Sequence, residues 1–240
     1  MLAHVKSDIG KVREINEDSY AFHPPNFFGV ADGMGGHAAG EVASSLAIKA
    51  FTEFIEKQAG SMPIEQLMEE AICQANTLIY EMSLRQTEYL GMGTTVTAAY
   101  IEGNHVYWSH VGDSRLYLIQ DNSICQLTND HSLVWELFLN GSITQEEIQS
   151  HPQRNMLTRA VGTSQTIAVE CGSMEWGPGD ILLLCTDGLT SMLNDQEIYQ
   201  SIRTNLSRLT GEQVLEELVN QANRSGGLDN ITAILLQYGD

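Results

Sequence analysis

Hydrophobic and polar positions follow two rhythms along this chain. Residues 2–8, 19–22 and 27–31 are short apolar or alternating runs parted by polar turns and Pro24-Pro25, which predicts three strands. Residues 38–55 then carry Val42, Leu46, Ala50 and Phe54 four apart. Residues 64–82 place Ile64, Leu67, Met68, Ala71, Ile72, Ala75, Leu78, Ile79 and Met82 at helical spacing. Two helices are predicted, each with one face laid on a sheet. From 93 to 127 the period returns to two, broken at Glu102-Gly103-Asn104, Gly112-Asp113 and Asp121-Asn122, as in an antiparallel meander. Residues 130–162 interrupt it with helical turns. Asp130 is placed to cap a helix ending near Gly141, and Thr144 with Glu147 forms a capping box. Strands resume over 167–172 and 180–185. A helix carrying Val214, Leu215, Leu218, Val219 and Ala222 starts at the Thr210/Gln213 capping box, and a strand over 230–238 follows.

Blocks of strand beside blocks of helix, without strict alternation, predict an α+β fold of antiparallel sheets covered by helices. The 240 residues, 42% hydrophobic, suffice for a substantial core. With no repeat or linker, 1–240 reads as a single domain and 130–162 as an insertion.

Composition narrows the function. Against 31 acidic side chains stand 12 basic ones, a formal charge of −19, which argues against nucleic-acid or anionic-membrane partners. An anionic substrate would be repelled on average, so a local positive centre must overcome that field, and a bound divalent metal is such a centre. Cys73, Cys125, Cys171 and Cys185 are scattered without zinc or redox spacing and read as reduced, mostly buried thiols. No apolar run approaches the roughly 20 residues of a membrane helix, and nothing at the N-terminus resembles an export segment, so a cytoplasmic protein is expected.

The chemistry is concentrated in aspartates. Asp32 follows the run Phe27-Phe28-Gly29-Val30-Ala31, Asp187 follows Ile181-Leu182-Leu183-Leu184-Cys185-Thr186, and each is followed by glycine. Both are expected at strand tips. Any one such pair has a plain turn explanation. Jointly, Asp18, Asp32, Asp113, Asp187 and Asp229 come from distant parts of the chain to similar settings. Carboxylates gathered at sheet ends repel one another and lose hydration, so they call for a cation, and oxygen ligands favour Mg²⁺, Mn²⁺ or Ca²⁺. Gly33 lets the backbone turn and leaves its carbonyl free as a ligand.

Six ordered motifs resemble those of the bacterial type 2C metal-dependent serine/threonine protein phosphatases, the PPM family. They are Arg13-Glu14-Ile15-Asn16-Glu17-Asp18, Val30-Ala31-Asp32-Gly33-Met34-Gly35-Gly36-His37, Gly91-Met92-Gly93-Thr94-Thr95, His110-Val111-Gly112-Asp113-Ser114-Arg115, Thr186-Asp187-Gly188-Leu189-Thr190 and Gly226-Gly227-Leu228-Asp229-Asn230-Ile231-Thr232. The resemblance implies a four-layer α-β-β-α sandwich, two antiparallel sheets flanked by helix pairs, with a small helical flap at 130–162. It implies two Mn²⁺ or Mg²⁺ ions bridged by Asp32, with the Gly33 carbonyl on the second and Asp187 and Asp229 completing the first. Asp113 with Asp187 resembles a third, weaker site. Glu17, Asp18 and Asn230 would stand behind metal-bound waters, and Arg13 would grip the substrate phosphate. His37 is a candidate proton donor, with helix-start packing as its alternative. Arg154 and Arg159 on the flap are either attractors of acidic phosphopeptides or ordinary surface charges.

The implied reaction is hydrolysis of phosphoserine and phosphothreonine on signalling proteins. Two close divalent ions lower the pKa of a shared water and clamp the phosphoryl oxygens, so no nucleophilic side chain is needed. Cys185 accordingly reads as a packing residue. A monomer acting on phosphorylated proteins and opposing a bacterial Ser/Thr kinase is expected. The alternatives are a catalytically silent phosphoprotein-binding regulator of the same fold, though no metal aspartate is missing, and a calcium-binding structural protein, though no EF-hand spacing is present.

Overall fold

Two antiparallel sheets face one another across an apolar layer, and a pair of helices covers the outer side of each. The computed structural model describes residues 1–36 and 39–239. One sheet comprises β1 (Leu2–Asp8), β7 (Arg115–Gln120), β8 (Ser123–Gln126), β10 (Ile181–Cys185) and β11 (Ile231–Gln237), in the order β1-β11-β10-β7-β8. The other comprises β2 (Asp18–His23), β3 (Phe27–Met34), β5 (Val96–Glu102), β6 (His105–Val111) and β9 (Glu170–Glu175), in the order β2-β3-β5-β6-β9, with β4 (Gly93–Thr94) paired to the end of β3. Helices α1 (Ala39–Gln58) and α2 (Ile64–Arg85) lie on the second sheet, and α6 (Asp195–Leu206) and α7 (Gly211–Arg224) on the first. Short helices α3 (Leu133–Leu139) and α4 (Gln145–Ser150) occupy the 130–162 insertion, and α5 (Asp187–Thr190) is a single turn after β10. The four-layer expectation holds.

Strand composition follows from this layering. Leu182 and Leu184 of β10 enter the layer between the sheets with Phe28, Val30, Leu116, Ile234 and Leu236. Ile181, Leu183 and Cys185 point the other way, under Ile198, Leu215 and Leu218 of α6 and α7. A strand buried on both faces needs no polar alternation, hence its uninterrupted apolar run. On α1 the buried stripe is Ala39, Ala43, Ala47, Phe51 and Ile55, one residue beyond the predicted one. Its small residues let the helix lie close on the sheet, and Val42, Leu46, Ala50 and Phe54 fill the flank.

Several expectations require correction. The meander over 93–127 is divided: β5 and β6 belong to one sheet, β7 and β8 to the other, and residues 112–114 cross between them. Period-two alternation fixes which face a residue takes but not which sheet receives the strand. Asp130 does not cap α3. Ser132 does, accepting the Trp135 N–H (3.3 Å), because the Asp130 carboxylate is taken by Arg115 (2.6 Å). The capping boxes at Thr144 and Thr210 are present, while α6, opened by an Asn194/Glu197 box, was not predicted. Strand β9 begins at Glu170 rather than 167. Only Cys185 is buried, Cys73 is partly so, and Cys125 and Cys171 are exposed, all with free thiols. Among the described residues no helix is long and apolar enough to cross a membrane.

Leu184 is fully buried between the sheets. Leu184→Ala should therefore destabilise the protein by about 3 kcal/mol in urea unfolding, and a loss below about 1 kcal/mol would contradict the central layer.

Candidate metal centre and active site

The aspartates converge at one end of the sandwich. Asp18 and Asp32 are register partners across β2 and β3, so their side chains share a face. Asp32 is not at a strand tip as expected: β3 runs on through Gly33 to Met34. Asp187 opens α5 directly after β10, Asp229 precedes the adjacent β11, and Asp113 sits on the crossover from β6 to β7. Asp18, Asp32, Asp113, Asp187 and Asp229 are all only partly exposed.

Two glycines set the spacing. A Cβ on Gly33 would collide with the Gly40 carbonyl of α1, and one on Gly188 with the Asn230 carbonyl. The Asp32 and Asp187 turns thus lie directly on neighbouring backbone, and any larger residue would push them apart. Buried hydroxyls brace the same region. Thr95 Oγ1 accepts the Asp32 N–H (2.9 Å) and lies 2.7 Å from Ser114 Oγ beside Asp113, while Thr94 Oγ1 donates to the Asp32 carbonyl (2.8 Å). Thr186 Oγ1 donates to Asp18 Oδ2 (2.9 Å) and accepts the Thr232 N–H (2.9 Å), tying the two sheets together under the acids.

Asn230 is the anchor of the N-terminal loop. Its Oδ1 accepts the Glu17 N–H (2.8 Å), and its Nδ2 donates to the carbonyls of Ile15 (2.9 Å) and Ile9 (3.0 Å). That loop carries Arg13 over the cluster. Arg13 Nη2 donates to Asp229 Oδ2 at 2.7 Å, and Nη1 lies 3.8 Å from Glu17 Oε2.

The electrostatics are those of crowded acids. Burial, then Asp187, Asp18, Asp113 and Asp229, pushes the Asp32 carboxyl well above the usual range. Burial and then Asp187 and Asp130 do the same to Asp113, against Arg115. Asp18 is raised to about 7 by burial, against hydrogen bonds from Thr232 and Thr186. Asp187 is raised to about 6 by burial and Asp229, against Asp32, Arg115 and Arg13. Glu17 Oε1, Asp18 Oδ1 and Asp187 Oδ1 are buried without any hydrogen-bond partner. Buried carboxylate oxygens normally have one, and hard oxygen donors without protons fit divalent Mn²⁺ or Mg²⁺. Among the described residues no three His, Cys, Asp or Glu side chains form a closed ligand group by themselves. Carbonyl oxygen and water must therefore complete any coordination shell, as Mg²⁺ in particular tolerates.

The flap is pinned at its root to the crossover that carries Asp113. His131 Nδ1 accepts the Gly112 N–H (3.1 Å), leaving Nε2 3.4 Å from Glu170 Oε2. His110, its ring tilted against that of His131 with centroids 4.7 Å apart, donates from Nε2 to the Asn129 carbonyl (3.1 Å), and burial followed by His131 lowers its pKa to about 4. Arg115 grips Asp130 in a two-pronged pair (2.6 to 3.2 Å) and donates to Tyr117 (2.8 Å). These contacts were not legible beforehand, although His110, Arg115 and His131 stand in or beside the motifs. Arg154 and Arg159 are exposed on the flap, and the Arg159 guanidinium reaches the Ala168 carbonyl (3.4 Å). His37 lies outside the described residues.

The sequence profile of the protein phosphatase 2C family matches residues 12–222. The chain belongs to that family. Membership makes it a protein phosphatase of the serine/threonine class. This 2C phosphatase is 36% identical over 245 residues to the serine/threonine phosphatase stp of Listeria monocytogenes serotype 4b, spanning 99% of this chain and 96% of that protein. Its fold superposes on the Mycobacterium tuberculosis phosphatase PstP/Ppp with a TM-score of 0.90 at 35% identity, covering 99% of both chains. The catalytic domain of PstP in complex with two manganese ions superposes with a TM-score of 0.87 at 33% identity, covering 98% of this chain and 96% of that one.

The acids yield a stability prediction with a definite sign. A carboxyl whose folded pKa is raised binds its proton more tightly in the folded state, so stability falls as pH rises from the unfolded to the folded value. With Asp187 near 6 and Asp18 near 7, the metal-free 2C phosphatase should lose melting temperature between about pH 4 and about pH 7. Mn²⁺ should restore more of it at the upper end, and Asp187→Asn should shrink both effects. Melting insensitive to Mn²⁺ at every pH would contradict the cluster's role. Asn230→Ala strands one donor and two acceptors and should cost about 2–4 kcal/mol, with faster hydrogen exchange at the Glu17 amide.

Proposed function

We propose that this chain removes phosphate from phosphoserine and phosphothreonine on signalling proteins, using two Mn²⁺ or Mg²⁺ ions, and that it opposes a Ser/Thr kinase in the cytoplasm. The observation that carries this is the convergence of Asp32, Asp187, Asp229, Asp18 and Glu17 with three buried oxygens left without partners. The PstP relative in complex with two manganese ions supports the choice of cofactor.

In this reading Asp32, Asp187, Asp229 and the Gly33 carbonyl would hold the pair of ions. Asp113 with Asp187 would hold a third, weaker ion. When bound, the pair of ions supplies a water that is nucleophilic near neutral pH and positive charge for the phosphoryl oxygens. The chain supplies everything around them. Arg13, poised on Asp229, turns its planar guanidinium to two phosphate oxygens. Glu17 and Asp18 orient water through their free oxygens, and Asn230 keeps the Glu17 and Arg13 loop in place. The insertion, rooted through Asp130 and His131, presents Arg154 and Arg159 to protein substrates. Residues 1–240 work as one catalytic domain and as a monomer.

Phosphate release from a phosphothreonine peptide under Mn²⁺ titration tests the reading. Turnover should require metal and fall on the order of 10²-fold or more in Asp187→Ala. Equal turnover without metal would overturn the metal-dependent mechanism. Tight Mn²⁺ binding without turnover would favour the silent phosphoprotein-binding role.

A further inference from the structure

Two loops meet edge to edge above the acidic cluster. The Lys11 N–H donates to the Gly227 carbonyl (2.8 Å), and Arg13 reaches Asp229 (2.7 Å). Val12 and Leu228 lie between these two contacts, one on each loop. Neither is covered: Val12 is 60% exposed and Leu228 52%. Ile9 and Ile15, whose carbonyls are both held by the Asn230 amide, are exposed on the same loop. One exposed aliphatic residue is ordinary on a protein surface, whereas several on two adjoining loops make a patch. The patch is also held rigidly. Asn230 clamps the first loop from beneath, and the Gly10 N–H and Asn223 Nδ2 both bond Asp8 Oδ1 (2.9 and 3.1 Å). Little ordering cost would attend binding to it.

We infer that Val12 and Leu228, flanked by Ile9 and Ile15, form a subsite for an apolar side chain next to the phosphorylated residue of a protein substrate. The inference rests on the phosphatase reading above. The subsite is continuous with that site. Arg13, which takes the phosphate, is the chain neighbour of Val12, and its partner Asp229 is the chain neighbour of Leu228. An extended substrate advances about 3.3 Å per residue, so a phosphate at Arg13 brings residues one or two positions away over the patch. Charge selects the same occupant. A flanking acid would approach an aspartate cluster on a chain of net charge −19, while an apolar side chain exchanges water for Val12 and Leu228 with no such opposition.

The test uses three phosphothreonine peptides, with leucine, serine or glutamate flanking the phosphorylated residue. p-Nitrophenyl phosphate, too small to reach the patch, serves as control. With Mn²⁺, the wild-type chain should show a kcat/KM about tenfold higher for the leucine-flanked than for the serine-flanked peptide, mostly through KM, with glutamate lowest. The exposed double variant Val12→Ser with Leu228→Ser should lose that preference and keep its turnover of p-nitrophenyl phosphate. Val12→Ile with Leu228→Met should retain the preference. No preference in the wild type, or a preference that survives the serine variant, overturns the subsite and leaves the phosphatase reading intact. A patch that instead mediates self-association, lost in the serine variant without change in peptide selectivity, also overturns it. A wild-type chain inert toward p-nitrophenyl phosphate with Mn²⁺ overturns the reading of the site and the subsite with it.

Discussion

Repulsion among half-buried carboxylates is the constraint around which this structure is arranged. At an effective dielectric of about 20, two like charges about 6 Å apart repel by about 3 kcal/mol, and a domain is stable by only about 5–15 kcal/mol. A flexible chain would relieve such crowding by moving its acids apart. Here the backbone forbids it. Gly33 abuts Gly40, Gly188 abuts Asn230, and hydroxyls of Thr94, Thr95 and Thr186 hold the strands on either side. The remaining relief is chemical: protons at low pH, Arg13 at the rim, or a divalent cation.

That arrangement explains why the polar scaffold lies where two sheets end and not within their shared layer. Phe28, Leu182, Leu184 and Ile234 fill the interior and give rigidity without consuming hydrogen-bonding groups. Toward the aspartates the interior turns to threonine, serine and asparagine: Thr94 and Thr95 bond the Asp32 backbone, Thr186 bonds Asp18, Ser114 bonds Thr95, and Asn230 bonds the loop that leads to Asp18. The flap shares this footing. Its root bonds through His131 to Gly112 and through Asp130 to Arg115, immediately on either side of residues 113–114. Displacement of the flap root is therefore mechanically coupled to the position of Asp113.

Much of this was legible in the sequence, for identifiable reasons. Apolar runs ending at Asp32 and Asp187, the helical spacing of α2 and the Thr144 and Thr210 capping boxes are local patterns, and local patterns survive folding. What failed was non-local. The crossover at residues 112–114 looks like a hairpin turn because alternation does not say which sheet a strand joins. Asp130 looks like a cap until Arg115, fifteen residues earlier, is seen to claim it. Strand β3 outran its expected end because Gly33 and Met34, poor strand signals by composition, are paired by Thr94 and Gly93. Asn230 carried a motif but not its task. Its three hydrogen bonds run to residues more than two hundred positions away, which no spacing rule anticipates.

The charge of the chain gains its meaning from Arg13. A net charge of −19 opposes the approach of any phosphorylated protein, and the opposition is strongest where the aspartates gather. A divalent cation would reverse the sign locally yet leave the rim to the side chains, and at the rim the guanidinium of Arg13 is bonded to the cluster itself. Its pairing with Asp229 holds the side chain against the cluster, so an arriving anion would not have to order it afresh. The same bond ties the 9–17 loop to the 226–230 loop. One ion pair thus links the charged edge of the aspartate cluster to two loops that bear exposed aliphatic residues, Val12 on one and Leu228 on the other.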